Sequence, residues 1–341
     1  MKEIAAFVIV FVLAYFGVGW FRRWSLRREL LDIPNERSSH AAPTPRGGGL
    51  VIVVISLISY LAYTLSTGQR LMWGYLTGAV LIAVISWLDD LYSISFVWRF
   101  LVHSLAAALV IYDAGYWQNI YLPVADLRIE LGGFGAVLGF FWIVWLTNAY
   151  NFMDGIDGIS GIQALTAGLG WLLVGYLIGF PAVYFYGGVL AFSSLGFLLH
   201  NWPPAKIFLG DVGSAFLGFS FAVMPFLAGS EHSGKAAPLP VIALLLVWYF
   251  VFDTVVTFFS RLIRRRRVWE PHREHLYQKL IISGLPHGVV SLLYGVLSIL
   301  IVISMVLARA FRGNFEIVLL VVVLLGTSAL LILTFSRKVL T

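Results

Sequence analysis

The sequence predicts an all-α, polytopic integral membrane bundle of about eleven transmembrane helices. The 341-residue chain is 60% hydrophobic and 12% charged, where a soluble domain carries roughly 25% charged residues. Apolar blocks long enough to cross a bilayer recur from end to end. The longest polar stretches, 22–46 and 261–287, leave no room for a soluble domain. One transmembrane domain, 1–341, therefore accounts for the chain. Cysteine is absent, which removes disulfides and thiolate metal sites.

The first block, 4–21, follows Met1-Lys2-Glu3 and stops at Arg22-Arg23. It is too long for a signal peptide and has no small-residue cleavage site, so it reads as a retained span. Spans two to four follow at 47–66, 71–88 and 98–112, with Asp89-Asp90 closing the third. The connection 113–133 is read as a short hairpin or amphipathic piece with no assigned role. The fifth span, 134–150, runs into "NAYNFMDGIDGIS" at 148–160. The sixth and seventh lie at 161–179 and 182–200, and Pro203-Pro204 ends the seventh. Gly210-Asp211-Val212-Gly213-Ser214 opens the eighth, 212–229. The ninth, 237–260, contains Asp253, about two turns before Arg261; Asp253 either pairs with a cation or carries structure. The last pair, 288–308 and 316–335, carries no motif and is expected to add little to function.

Charge placement gives an orientation. Of the 23 Lys and Arg residues, all but Lys2, Arg70, Arg128, Lys235, Arg309 and Arg312 fall on or beside one alternating set of connections. The positive-inside rule makes that set cytoplasmic, which puts the N-terminus in the periplasm and the C-terminus in the cytoplasm. The net charge of +6 then reflects topology, and no nucleic-acid partner is implied. Arg22, Arg23, Arg27 and Arg28 read as anchors facing membrane lipid.

Asp89, Asp90, Asp154, Asp157 and Asp211 all fall at the ends of spans on this one side. Charged groups at such depth are costly and face a cavity or a partner, so three acidic sites on one face predict a shared polar cleft. Asn148, Asn151, Asp154 and Asp157 are spaced by three. On a continuous helix the last three nearly converge, while Asn148 points elsewhere and supports them. Amides and carboxylates are hard oxygen donors, suited to Mg²⁺ or Mn²⁺ rather than zinc; the ordinary alternative is a helix C-cap and turn. "PPAKIFLGDVGSAFLG", 203–218, sets Lys206 and Asp211 at a helix N-terminus, a natural phosphate seat. Asp211 would repel a phosphate unless a metal lay between them; the alternative is an Asp N-cap. In "SRLIRRRRVWEPHREHLYQKL", 260–280, His272, Arg273 and His275 crowd beside Arg264–Arg267. Arg offers bidentate donors to phosphate and His donates or accepts there. A lone loop histidine is usually inert, but this trio opposite several carboxylates points to a diphosphate.

Residues 32–280 resemble the polyprenyl-phosphate N-acetylhexosamine-1-phosphate transferases, a glycosyltransferase family 4 type. Five motifs in order carry the resemblance: "LLDIPNERSSHAAPTPRGGGL" at 31–50, "DDLYSISFVWRF" at 89–100, "NAYNFMDGIDGIS", "AKIFLGDVGS" and "PHREH". The first loop resembles the branch that begins O-antigen and related surface polysaccharides. His272-Arg273-Glu274-His275 replaces the run of adjacent histidines found in the muramoyl-pentapeptide branch and argues against that substrate.

The resemblance implies a transferase of the bacterial inner membrane. It would move N-acetylhexosamine 1-phosphate, or its 6-deoxy relative, from a UDP-sugar to undecaprenyl phosphate, with UMP leaving. By motif, Asp211 and Asn151 become Mg²⁺ ligands, with Mn²⁺ an alternative. Asp154 and Asp157 shape the site and hold nucleotide. Asp89 and Asp90 become the catalytic pair beside the acceptor. Asp89 either takes a proton or positions the acceptor, since a phosphate monoester is already largely ionised above its second pKa of about 6. His272, Arg273 and His275 bind the diphosphate and offset its charge. Arg46, Lys206 and Arg99 are secondary phosphate contacts, with topology charges as the equal alternative. An intramembrane prenyltransferase would show a second Asp-rich helix of similar spacing, whereas Asp89-Asp90 are adjacent and Asp211 stands alone. An ion-coupled transporter would show inverted repeats and acids near mid-membrane, and neither is visible. The sequence leaves the oligomeric state, a homodimer included, open.

Overall fold

The computed structural model describes residues 2–34, 42–122, 125–231, 236–267, 272–310 and 315–336. With no water to pair backbone groups in a bilayer core, so apolar a chain must become helices, and thirteen helices form among these residues. In chain order α1 (Lys2–Arg27) is followed by β1 (Leu31–Asp32) and β2 (Thr44–Pro45), then α2 (Gly49–Thr67), α3 (Trp73–Tyr92) and α4 (Phe96–Ala114). An antiparallel hairpin, β3 (Asn119–Leu122) and β4 (Leu127–Glu130), joins α4 to α5 (Phe134–Met153), with Asn119 opposite Glu130. Then come α6 (Ile159–Ile178), α7 (Pro181–Asn201), α8 (Asp211–Glu231), α9 (Leu239–Leu246), α10 (Trp248–Ile263), α11 (Leu276–Ile282), α12 (His287–Ala310) and α13 (Phe315–Ser336).

Ten of these helices are long and apolar enough to cross a membrane, and α9 with α10 passes the same test only as a bent pair, a broken span or a re-entrant loop. The bundle is built around α8, whose spanning window is 94% buried among α2, α3, α4, α5, α6, α7 and α9. Outer helices keep apolar side chains on the lipid side, such as Phe16 on α1 and Leu325 and Ile332 on α13. Small residues let backbones touch inside. A Cβ on Gly49 would lie 2.3 Å from the Cα of Gly213, so the start of α2 rests directly on the first turn of α8.

Two expectations are corrected. The ninth span is not one straight helix: it breaks at Val247, and α9 and α10 meet at 78°. The break survives in an apolar setting because a neighbour pairs the freed backbone group. Gln163 Nε2 on α6 donates to the Leu246 carbonyl at 2.9 Å, and Ser298 on α12 donates to Gln163 Oε1 at 2.9 Å. Nor is the last span pair idle. Besides Ser298, α12 supplies His287, Ser291 and Tyr294, which reach Asp157 and Asp253.

Candidate active site

The carboxylates gather at one end of the bundle, where α3, α4, α5 and α8 meet. Asp89 lies in the last turn of α3. Its Oδ1 accepts the Ile94 N–H at 2.5 Å, and its Oδ2 accepts from Arg99 Nη1 at 2.5 Å. The same Arg99 nitrogen lies 2.8 Å from Oδ2 of Asp211. Asn151 Nδ2 approaches that oxygen at 3.4 Å, while its Oδ1 accepts from the Ser214 hydroxyl at 2.6 Å. One guanidinium nitrogen therefore ties α3 to α8 between two carboxylates that would otherwise repel.

Asp90 has a different part. It is 5% exposed, and its two oxygens accept the Asp211 and Val212 N–H groups, each at 3.1 Å. It caps the first turn of α8, a place for which the sequence had suggested Asp211 itself. Gly210, at φ 78°, makes this close approach possible, since a Cβ there would lie 2.7 Å from Asp90 Oδ2. Arg46 acts electrostatically on Asp90 and lines with it, Glu29 and Trp87 a cavity of about 180 Å³. Residues 35–41 of the neighbouring "PNERSSHAAPTPRGGG" loop lie outside the described residues.

The spacing-by-three reading of 151, 154 and 157 does not hold, because α5 ends at Met153. Asp154 is its C-cap, with its N–H donating to the Asn151 carbonyl at 3.2 Å. Asp157 follows a turn and takes its partners from the α7–α8 connection and from α12. Its Oδ2 accepts the Ala205 N–H at 3.0 Å, its Oδ1 is 3.5 Å from His287 Nδ1, and its carbonyl accepts from Ser291 at 2.7 Å. Asn148 keeps its amide on the Val144 carbonyl at 2.7 Å. Burial foremost, and then the charges of Asp211, Asp90 and Asp157, push the Asp154 carboxyl up to about 7, against a lowering by Ser160.

The start of α11, from His275 on, folds around Asp253, which is fully buried on α10. Asp253 accepts from His275 Nδ1 at 3.0 Å, from the Leu276 and Tyr277 N–H groups at 2.9 and 3.1 Å, and from Tyr294 at 2.8 Å. Asp253 fixes the start of α11, and His275 stands at ion-pair distance from it, so the structural role is visible without removing the cation-pairing one. His275, 4% exposed, is thereby turned into the protein. Glu274 pairs with Arg261 and Arg266; burial works against its ionised form, but these cations hold its carboxyl below the ordinary value. The His272 ring lies 4.9 Å from that of His275. Burial, with His275 and Arg261, lowers the His272 pKa to about 4, against Glu274 and Asp253. His272 is therefore neutral near pH 7 and offers a hydrogen bond rather than a charge. Tyr277 joins this block to the carboxylates. Its hydroxyl donates to the Phe152 carbonyl at 3.2 Å, and both Asp154 and Arg273 act on it electrostatically.

Lys206 is exposed, and among the described residues no hydrogen bond or ion pair joins its side chain to the carboxylates. It lies on the α1 side, where Arg22 Nε donates to its carbonyl at 3.1 Å and its charge acts on His200. The sequence reading also missed some residues. His103, 2% exposed, sits one turn beyond Arg99 on α4, close enough to Arg99, Asn148 and Asp211 to interact with them. Both its ring nitrogens lack a hydrogen-bond partner among the described residues. Its spacing of four from Arg99 was the one available signal. Ser214 and Tyr277 lay inside quoted motifs but are common types there, and His287 carried no signal.

Residues 72–229 match the family described as Glycosyl transferase family 4. Decaprenyl-phosphate N-acetylglucosaminephosphotransferase of Mycolicibacterium smegmatis is 30% identical over 311 residues, covering 81% of this chain and 74% of that protein. The chain belongs to glycosyl transferase family 4. Further similar proteins are the probable undecaprenyl-phosphate N-acetylglucosaminyl 1-phosphate transferase of Bacillus subtilis, at 29% over 91% of this chain and 86% of that one, and phospho-N-acetylmuramoyl-pentapeptide-transferase of Listeria monocytogenes, at 26% over 67% and 76%. Membership of this family makes the chain a multi-span membrane enzyme, a transferase.

For a family 4 enzyme the fit of a divalent cation turns on donor chemistry. Among the described residues no three Asp, Glu or His side chains form a closed metal cage. Asp211 is instead a single partly exposed carboxylate, with the Asn151 Nδ2 turned to it and the Asn151 Oδ1, the one hard donor of that side chain, held by Ser214. That suits Mg²⁺, which binds through one or two carboxylates and leaves other positions to water and phosphate.

Proposed function

We propose that the enzyme transfers N-acetylhexosamine 1-phosphate from a UDP-sugar to a polyprenyl phosphate, undecaprenyl phosphate in bacteria. An oxygen of the acceptor phosphate forms a bond to the β-phosphorus of the donor. The bond from that phosphorus to the oxygen bridging the α- and β-phosphates breaks, UMP leaves with the oxygen, and a lipid diphosphate sugar remains. Family membership carries this reading, with three acidic motifs converging at one end of the bundle. N-acetylglucosamine is the favoured sugar, since the two relatives named for it match more of the chain than the muramoyl-pentapeptide one does. We assign the product to the first membrane step of a surface polysaccharide of the O-antigen kind, on the strength of the 31–50 loop. The basic excess beside the acidic motifs supports an active site on the cytoplasmic face of the inner membrane.

Both reactants are anions, so charge must be offset before they meet. Asp211 and Asn151 would hold Mg²⁺, which when bound neutralises and orients the diphosphate. Arg99 and Arg273 supply fixed cations, and neutral His272 donates to a phosphate oxygen. Asp89, engaged by the Ile94 N–H and Arg99, positions the acceptor side rather than removing a proton. Asp90 keeps the first turn of α8 in register. Asp154 and Asp157 hold the α5–α6 turn against α11 and α12.

The test uses purified protein in detergent with undecaprenyl phosphate, Mg²⁺ and a panel of UDP-N-acetyl sugars. UMP release matched by a lipid-linked sugar phosphate is expected, highest with UDP-N-acetylglucosamine. No UMP with any sugar would overturn the assignment.

A further inference from the structure

Arg99 does more than a surface arginine requires. It sits on α4 with one nitrogen, Nη1, on carboxylate oxygens from two other helices, 2.5 Å from Asp89 and 2.8 Å from Asp211. These side chains are only partly exposed, 27% for Arg99, 11% for Asp89 and 34% for Asp211. The oxygen of Asp211 that Arg99 holds is also the one that Asn151 approaches. That carboxylate is the one the proposed function gives to a divalent ion. Two like charges cannot share one carboxylate oxygen at contact distance without strong repulsion.

We propose that Arg99 is an internal counter-cation that competes with a divalent cation for the Asp211 carboxylate and turns to phosphate when that cation binds. The inference rests on the metal reading above. Without a cation between them, Asp89 and Asp211 would repel across the α3–α8 junction, and Arg99 stands where that charge is needed. Once Asp211 has a divalent partner, Arg99 keeps Asp89 as its tether. A guanidinium has five N–H donors in a rigid fork, and those leaving Asp211 turn to the open side of the cleft. The group they fit is a phosphate monoester, whose oxygens match the fork in pairs. Metal binding and phosphate binding are then coupled through a single side chain, and each tightens the other by the same factor.

The experiment measures Mn²⁺ binding to the full chain in detergent by electron paramagnetic resonance, without substrates, in wild type, Arg99→Gln, Arg99→Lys and Asp211→Asn. Removing the competing cation in Arg99→Gln should tighten Mn²⁺ binding about five-fold, the scale of one partly exposed ion pair, while turnover falls. Arg99→Lys, a point charge without the fork, should remain nearer wild type in Mn²⁺ binding and still lose turnover. In wild type, methyl phosphate should tighten Mn²⁺ binding by a larger factor than in Arg99→Gln; this arm does not depend on variant stability alone, because wild type shows the effect itself. Binding that needs Asp211 but is no tighter in a folded Arg99→Gln would overturn the role of Arg99 and leave the metal reading standing. Binding that Asp211→Asn leaves unchanged would overturn the metal reading, and this proposal with it.

Discussion

Asp154 keeps its proton in the fold over a pH range where the unfolded chain has lost it. Its pKa is raised from 3.8 to about 7, so the native state binds the extra proton between those values. The associated stability is full below about pH 4 and is lost as pH rises through about 7. Asn mimics the neutral form. Asp154→Asn should therefore melt several degrees above wild type at pH 8 in chelator, with the gain shrinking towards pH 5, as followed by intrinsic fluorescence. An equal gain at both pH values would show that charge is not the cause. At Asp211 the expectation concerns chemistry. Asp211→Asn should lower the rate of UMP release roughly 100-fold or more, the scale of losing a preorganised charge, with unchanged folding by size-exclusion profile. Near-normal turnover would remove Asp211 from the metal shell. Neither residue's partners were legible from spacing: Asp154 ended the helix that the spacing-by-three argument assumed, and Arg99 meets Asp211 from 112 positions away in the chain.

At the scale of elements, the bend between α9 and α10 and the docking of α11 are held by buried polar groups on other helices. Gln163→Leu would leave the Leu246 carbonyl and the Ser298 hydroxyl unpaired, each a loss of about 1–3 kcal/mol. A lowered melting temperature is expected, while Ser298→Ala, which removes only the outer partner, should cost less. Equal effects of the two would mean that Gln163 is not the group holding the break. Asp253 has five donors converging on it, four of them from His275, Leu276, Tyr277 and Tyr294 and the fifth from Thr257 one turn on in α10. Asp253→Ala should release α11, seen as faster hydrogen exchange over 276–282, and should lower activity because Tyr277 and His272 lose their seat. Protection unchanged in that segment would refute its anchoring role. The sequence marked Asp253 as unusual inside a span. It could not say which distant donors would reach it, because, Thr257 apart, those come from the start of α11 and from α12, after the loop.

At the scale of the molecule, the proposed orientation has a direct test that the cysteine-free chain makes clean. Lys206→Cys, at an exposed position beside the acidic end, should react with a membrane-impermeant maleimide in inside-out vesicles and not in intact cells. The reverse pattern would place the site on the periplasmic face and remove the cytoplasmic UDP-sugar from the mechanism. The bundle itself was largely legible. Ten of the expected spans are single helices, because lipid forces each apolar block to satisfy its own backbone, while the remaining block is the bent pair α9–α10.

By itself, the sequence determined the membrane class, ten of the spans, the gathering of acids at one set of helix ends and the hard-oxygen character of their side chains. Those properties depend on residue type and on distance along the chain. Only the tertiary structure decided that Asp90 caps α8, that Asp157 is held by His287 and Ser291, that His275 turns inward to Asp253, and that Arg99 stands between Asp89 and Asp211. In an interior of low dielectric, a charged or polar group must find a partner. Which partner it finds is set by how closely helices pack, as where Gly49 meets Gly213, and helix packing is not a property of any one segment.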